Sequence, residues 1–469
     1  MPTAISSRAT TPSARQVGAV RLQTNRPAST SQVRNQLVLA SGVALAVGAG
    51  LLPSGAQAQS LLNQFIAPDV PGTGVQRDVT VLSRQRPDYD PLGIRLGDTM
   101  IRPMLNESFG YDDNVTGLSH GTGSPLIETN AIIGANFDHS VYTANAQLTV
   151  DDMEYPSQSQ YSYTNWTASA GGNYEFDRDL LSFSLSHQNL NQTAADLDVP
   201  RLSRSLAYRV DTMHVGYRAD FDRFYLLPAV DVSYFNYDNG TVGGVIYQQS
   251  YRDRVAVTPS LTGGYTFGRL TVVGVVRDAV ADFTGPRDGL PTQNYNDVSA
   301  LGGLDYDATG FLRYRLLAGY EVRTFNAGAY KTIAQPIVEG TVIWSPTGLT
   351  TVTGQVSRRI QDSSAVTTVA LTESAAAVTV DHELLRNVLL RGTGAYYIDQ
   401  YGEGGGTQQL YSVGGGVTYL LNRNVQVSGA YTYTARRSPT STSLAASQVV
   451  YIAPSYNDNR FVLTLRLAL

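Results

Sequence analysis

The final stretch, Phe461-Val462-Leu463-Thr464-Leu465-Arg466-Leu467-Ala468-Leu469, decides how this chain is read. Side chains of a β-strand alternate between two faces. Phe461, Leu463, Leu465, Leu467 and Leu469 therefore share one face, and Val462, Thr464, Arg466 and Ala468 share the other. Chain ends usually fray, so an apolar face that continues to the last residue implies a strand buried along its whole length. A closed sheet, sealed last strand against first, provides that burial. In lipid such closure also satisfies every backbone donor and acceptor. The expectation is an all-β protein: a transmembrane, antiparallel, up-and-down β-barrel with Arg466 turned to its lumen. The five apolar residues would be the strand read by the barrel-assembly machinery.

Upstream, the chain has the rhythm such a barrel requires. Short turns are expected at Phe137–His139, Phe176–Asp179, Asp220–Arg223, Phe267–Arg269, Ala308–Gly310, Ser345–Gly348, His382–Asn387 and Leu421–Asn424. Longer polar stretches alternate with them: Thr116–Ser124, Pro156–Gln160, Asn191–Arg204, Asp238–Ser250, Phe283–Asn294, Asn326–Lys331, Gln361–Thr367, Gly402–Thr407 and Arg437–Ser447. Alternating short and long connections fit about 18 strands, with short periplasmic turns and longer extracellular loops. The segments between them alternate as required. In Leu312–Arg323 the outward set is Leu312, Tyr314, Leu316, Ala318, Tyr320 and Val322. Two segments are less regular: Leu206–Arg218 changes phase near Thr212, which suggests a bulge, and Leu270–Val276 is apolar on both faces. A soluble β-sandwich also alternates, but it has far fewer strands.

Composition agrees. The 469 residues are 42% hydrophobic and only 16% charged, and 44 glycines and 29 tyrosines suit tight turns and interfacial girdles. Absence of cysteine excludes disulfides, thiolate chemistry and cysteine-bound zinc. Residues 1–58 read as a secretory signal peptide: Arg8, Arg15, Arg21, Arg26 and Arg34 precede an apolar run, Leu37 to Leu52, and a small-residue site at Ala56-Gln57-Ala58. At about 16 residues the run is short for a membrane-spanning helix, which needs about 20. Losing those five arginines moves the balance from 34 basic against 39 acidic residues to 29 against 39, a net charge of −10. An acidic chain argues against nucleic acid as a partner. Residues 59–97 read as a periplasmic N-terminal linker and 98–469 as the barrel.

The inward-facing polar residues are the candidate functional set. Arg254, Arg313, Arg315, Glu321, Arg323, Glu339, Arg391, Tyr397 and Asp399, with Asp231, are expected to line the lumen. There arginines and carboxylates could bind hydroxyls or carboxylates of a solute, and Tyr397 could stack on a sugar ring. The plain structural reading is that charged pairs simply fill a wide barrel. Catalysis has little support: His187 near Ser184 or Ser186 is the strongest pairing in a serine-rich chain. Asp151, Asp152 and Glu154, or Asp112 and Asp113, could hold a divalent cation but read more simply as solvated loop ends. No catalytic, cofactor-binding or metal-binding residue is assigned.

Two segments carry a family resemblance. Arg86-Pro87-Asp88-Tyr89-Asp90-Pro91-Leu92-Gly93-Ile94-Arg95-Leu96-Gly97 and Tyr111-Asp112-Asp113-Asn114-Val115 resemble the opening of the "putative beta-barrel porin" family of proteobacterial outer-membrane proteins. The resemblance implies a non-enzymatic pore in the Gram-negative outer membrane, in contact with outer-membrane lipid. It also implies a role as a conduit for exopolysaccharide export, with separate periplasmic polysaccharide-export proteins delivering the cargo. Two other readings stand beside it: a structural or adhesion barrel with a plugged lumen, and a barrel-embedded hydrolase.

Overall fold

The computed structural model describes residues 80–199, 202–242, 245–286, 289–307, 311–364, 368–402, 406–439 and 453–469. The stretch 1–58 expected to be a signal peptide, residues 59–79 and the turn expected at Ala308–Gly310 lie outside the described residues. Eighteen long strands form the wall. They are β1 (Thr99–Asp112), β2 (Ser124–Asp138), β3 (Tyr142–Glu154), β4 (Tyr163–Phe176), β5 (Asp179–Gln192) and β6 (Leu206–Phe221). Next come β7 (Phe224–Tyr237), β8 (Arg254–Phe267), β9 (Leu270–Phe283), β10 (Tyr295–Asp307), β11 (Leu312–Phe325) and β12 (Ile333–Thr347). The last six are β13 (Thr350–Asp362), β14 (Ala370–Leu385), β15 (Val388–Tyr401), β16 (Thr407–Leu420), β17 (Val425–Arg437) and β18 (Tyr456–Ala468). Each pairs antiparallel with the next, and β18 returns to β1 in a register running from Met104↔Ala468 to Asp112↔Arg460. The barrel is closed.

Connections alternate short and long, so β1 begins and β18 ends at the short-turn, periplasmic end and the long loops lie at the extracellular end. The tight turns use backbone that few residues tolerate. Asp177 and Asp222 sit at φ 55° and 64°, where a short polar side chain is less penalised than a branched one. The turn expected at Ser345–Gly348 is displaced: β12 continues through Thr347 across a register shift after Trp344.

The apolar face of β18 points outward as its alternation requires, with Phe461, Leu463, Leu465, Leu467 and Leu469 all exposed and Arg466 buried on the inner side. Fourteen-residue strands, tilted about 40°, span roughly 35 Å, about 10 Å more than the apolar band of about 25 Å. The strand tops therefore project beyond lipid, and there the polarity inverts. Along β6, Met213, Val215 and Tyr217 face outward within the band. Above Thr212 the outward residues are Asp211 and Arg209, while Val210, Tyr208 and Leu206 are buried inside. This corrects the expected bulge, because pairing with β5 runs unbroken through Thr212. The phase change marks the edge of the membrane band. The doubly apolar Leu270–Val276 has a related cause: Val273 and Val275 point inward and pack on Leu301, Leu317 and Ile337.

Candidate functional site: the barrel lumen

The lumen is narrowed first at its extracellular end. The β5–β6 loop contains Ala194, Leu197, Val199 and Leu202, all buried, and apolar residues in a polar loop need a dry surface. Ala194 finds it on Val115, Met153 and Tyr163 of the first strands and their loops, and Leu197 finds it across the barrel. Leu197 packs on Ala375, Tyr397, Leu410 and Tyr456 of β14, β15, β16 and β18. Arg436, at the top of β17 and fully buried, holds the loop in place. Its guanidinium donates to the carbonyls of Ala194 (2.8 Å), Asp196 (2.7 Å), Gly117 (3.0 Å) and Pro454 (3.0 Å). Gly117, at φ 59°, lets the β1–β2 loop approach so closely that a Cβ there would meet the Ala194 carbonyl.

Two carboxylates in this loop pin it further. Asp198 accepts from Ser363 Oγ (2.9 Å) and from the Ser364 amide, while its own amide donates to Gln408 Oε1 (2.9 Å). Asp196 accepts from the Thr193 amide at 2.9 Å. Burial raises both carboxyls to a pKa of about 6, against the hydrogen bonds that favour the charged form.

Beside the loop lies an ion network reaching between distant strands. Arg323 of β11 pairs with Asp297 of β10 and Asp362 of β13, both at 2.7 Å, and Arg254 of β8 reaches the same Asp362 at 2.9 Å. Asp362 comes within reach because the top of β13 parts from β12 while staying paired with β14 as far as Asp362↔Ala370. Pairing between β12 and β13 stops at Val338↔Arg358. Two pairs further on, the register would put Ile360 opposite Pro336, which has no N–H to offer. The Pro336 carbonyl instead accepts from Arg358 Nε (3.1 Å). Ile360 is redirected into the lumen, where its amide donates to Glu321 Oε2 (2.8 Å) and its carbonyl accepts from Arg323 Nη2 (3.2 Å).

At the periplasmic end a second segment enters the mouth. Val81 is buried against Leu389 and Leu420, the lowest inward residues of β15 and β16. Its amide donates to Thr351 Oγ1 at 3.0 Å. Arg86 lies beneath it and forms a buried pair with Glu383 of β14 at 2.8 Å, while donating to the Val81 carbonyl at 2.7 Å. Gly93, at φ 73°, then turns the chain so that its amide meets the carbonyl of Leu469 at 3.0 Å. A short strand, Ile94–Leu96, pairs back on β1. The Arg86–Gly97 motif thus builds a plug and ties it to the closing strand. The Tyr111–Val115 motif does the same above: the Asp113 carboxylate accepts from the amide and side chain of Asn459, both at 2.7 Å. Both motifs lock the β1–β18 seam.

Every candidate lumen residue lies on an inward face, but they do not form one ladder. Arg254, Glu321 and Arg323 belong to the extracellular network. Glu339 is held at mid-height by both amino groups of Arg277, one at 2.9 Å. Arg391 pairs with Asp381 at 2.7 Å near the periplasmic end, and Arg315 lies 4.0 Å from Asp305. Arg313 sits below Arg315 on the same face of β11. Asp231 pairs with His214 at 2.7 Å. Tyr397 and Asp399 are buried beneath the inserted loop, so Tyr397 has no face free for a sugar ring. The residues missed from sequence are Arg436, Arg277, the Arg86–Glu383 pair and the inserted loop. Only Leu197, Val199 and Leu202, apolar in a polar loop, could have signalled it.

The chemistry weighed from sequence is dispersed by the same alternation. His187 faces outward, against Trp166 and 2.6 Å from Asp211, whereas Ser184 and Ser186 are buried on the inner side. Asp151 points inward, Asp152 outward toward Thr164, and Glu154 shares the outward face.

Several solved porins share the general architecture. OccAB3 of Acinetobacter baumannii aligns at 10% identity over 80% of this chain and 100% of its own, with a TM-score of 0.42. The outer membrane protein OpdK of Pseudomonas aeruginosa gives 11%, 79%, 99% and 0.39, and a BenF-like porin from Pseudomonas fluorescens Pf-5 gives 10%, 80%, 100% and 0.42. No curated protein matches the sequence. A family match is nevertheless extensive, running from the Arg86 that anchors the periplasmic plug to Ala453, just before the extracellular start of the last strand. By that match over residues 86–453, the chain belongs to the family Putative beta-barrel porin 2.

Proposed function

We propose that this outer-membrane barrel is a passive pore, not an enzyme, and that the β5–β6 loop sets its narrowest passage. The observation carrying this reading is the inner wall. Between the two occluding segments it presents small polar side chains, such as Thr143, Gln147, Ser182, Ser260, Thr262, Thr353 and Ser412, which a wet passage favours. Planar-bilayer recording tests it. Discrete conductance steps are expected from the full mature chain, and their absence even after removal of residues 59–92 would replace the pore with a plugged scaffold. That second reading is favoured by the seated segment at each end.

The finer proposal is that the cargo is an exopolysaccharide leaving the periplasm, supplied by a periplasmic partner. Hydroxyl and amide side chains along the wall suit sugar hydroxyls. Cells lacking this chain should secrete less polysaccharide; an unchanged amount would remove the cargo assignment and leave the pore standing. Delivery to the membrane by a signal peptide and by the barrel-assembly machinery completes the proposal.

A further inference from the structure

Across the closing seam, four adjacent strands place a row of inward side chains at one height: Gln426 of β17, Arg466 of β18, Asn106 of β1 and Asn130 of β2. Three are amides, and the fourth is an arginine that, among the described residues, no carboxylate neutralises. Arg466 is 9% exposed, and its Nε is sealed from solvent without a hydrogen bond. Its register partner Asn106 is in the complementary position. Asn106 Nδ2 donates to Asn130 Oδ1 at 3.0 Å, but its Oδ1 is buried and accepts nothing. An orphaned donor and an orphaned acceptor thus sit on register partners of the lumen wall. Arg102, four residues below Asn106 on β1 and on the same face, likewise has no neighbouring carboxylate among the described residues.

This contrasts with Arg436, whose guanidinium is met by four carbonyls, and with eight other lumen arginines. Arg218, Arg254, Arg277, Arg315, Arg323, Arg359, Arg391 and Arg460 each have an acidic partner. A buried guanidinium without a counter-charge is costly, because desolvation is not offset by attraction. A ligand that brings an anion recovers that cost. We infer that the row Gln426–Arg466–Asn106–Asn130 is a binding rung for a hydroxylated carboxylate, such as a uronic acid residue. Arg466 holds the carboxylate, the amides hold adjacent hydroxyls, and Arg102 forms a second, weaker rung toward the periplasm. A guanidinium matches a carboxylate bidentately, and amides both donate to and accept from hydroxyls. The row rests on the pore reading only for its route of access.

The test compares galacturonate with galactose, its neutral counterpart. Equilibrium dialysis against the detergent-purified full barrel reads binding without requiring conduction. Galacturonate should bind about tenfold or more tightly than galactose, the ratio expected for one favourable charge contact of about 1.4 kcal/mol. Arg466→Gln should abolish that preference, Arg466→Lys should retain part of it, and Arg102→Gln should reduce it less. Unshifted heat-modifiable migration of each variant on gels establishes that the barrel folds. Equal binding of the two sugars, or an unchanged preference in folded Arg466→Gln, overturns the rung. In bilayers, galacturonate should block conductance of the unmodified protein at lower concentration than it blocks Arg466→Gln. A barrel that does not conduct but still prefers galacturonate would refute the pore and keep the rung.

Discussion

Arg436 is a charge used as a backbone clamp. Its guanidinium satisfies four carbonyls from three separate loops, and each carbonyl left orphaned on truncation costs about 1–3 kcal/mol. Arg436→Met should therefore release the β5–β6 loop while leaving the strands paired. Hydrogen exchange at residues 194–199 should rise by orders of magnitude, with exchange in β16 and β17 little changed. Lysine is no substitute, because a point-like ammonium cannot fork to several acceptors. The loop carboxylates add a pH dependence whose sign follows from burial. Asp196 and Asp198 titrate near 6 when the loop is seated, above the ordinary value near 3.9. The seated state thus binds more protons across that window, and seating weakens as pH rises through it. A shift of about two units corresponds to roughly 3 kcal/mol per carboxylate. Asp198 also faces Arg252, Tyr401 and Asp399, and Asp196 faces Arg436. Lowering the pH from 7 to 4.5 should therefore close the passage reversibly. Single-channel recordings that open in acid would contradict this.

At the scale of the element, one residue decides where the wall ends. Pro336 cannot donate toward β13, so the ladder stops and the top of β13 turns inward with Asp362, the acceptor for both Arg254 and Arg323. Cysteine pairs test this cleanly in a chain that has none of its own. Thr341→Cys with Gln355→Cys joins register partners and should oxidise to a disulfide. Gln335→Cys with Gln361→Cys, above the split, should not. Adding Pro336→Val restores a donor and should allow the upper pair to form. The alternation of β18 was legible because lipid admits no polar exception on its outer face, so Phe461 to Leu469 carry the signal in one short window. Above Thr212 the same code misled, since the strands rise out of lipid and the rule inverts. Arg209 and Asp211 outside, with Tyr208 and Val210 inside, look like a bulge until the height of the membrane band is known.

Over the whole molecule, partners from distant parts of the chain meet in the lumen, and that explains what sequence could not reveal. The inward position of Arg254 followed from alternation, but its partner Asp362 lies on a strand five places around the barrel. The loop seat depends on Arg436, more than two hundred residues from Ala194. Pairings of this kind depend on closure, which fixes which strands oppose one another. Closure also places two occlusions on one axis: the Arg86–Glu383 plug below and the Arg436-held loop above. Occlusions in series add as resistances, so relieving one leaves the other limiting. Arg86→Ala would leave Glu383 paired only with the more exposed Arg84, at 3.3 Å, a weaker contact than the buried pair it replaces, and so should loosen residues 80–92. Arg436→Met should free the loop. Each change alone should raise single-channel conductance less than twofold if the two resistances are equal, because half of the total remains. The double variant should exceed the product of the two single effects. Multiplicative effects in the double variant would mean that ions bypass one of the segments, and no increase in any variant would mean that the lumen is blocked between them.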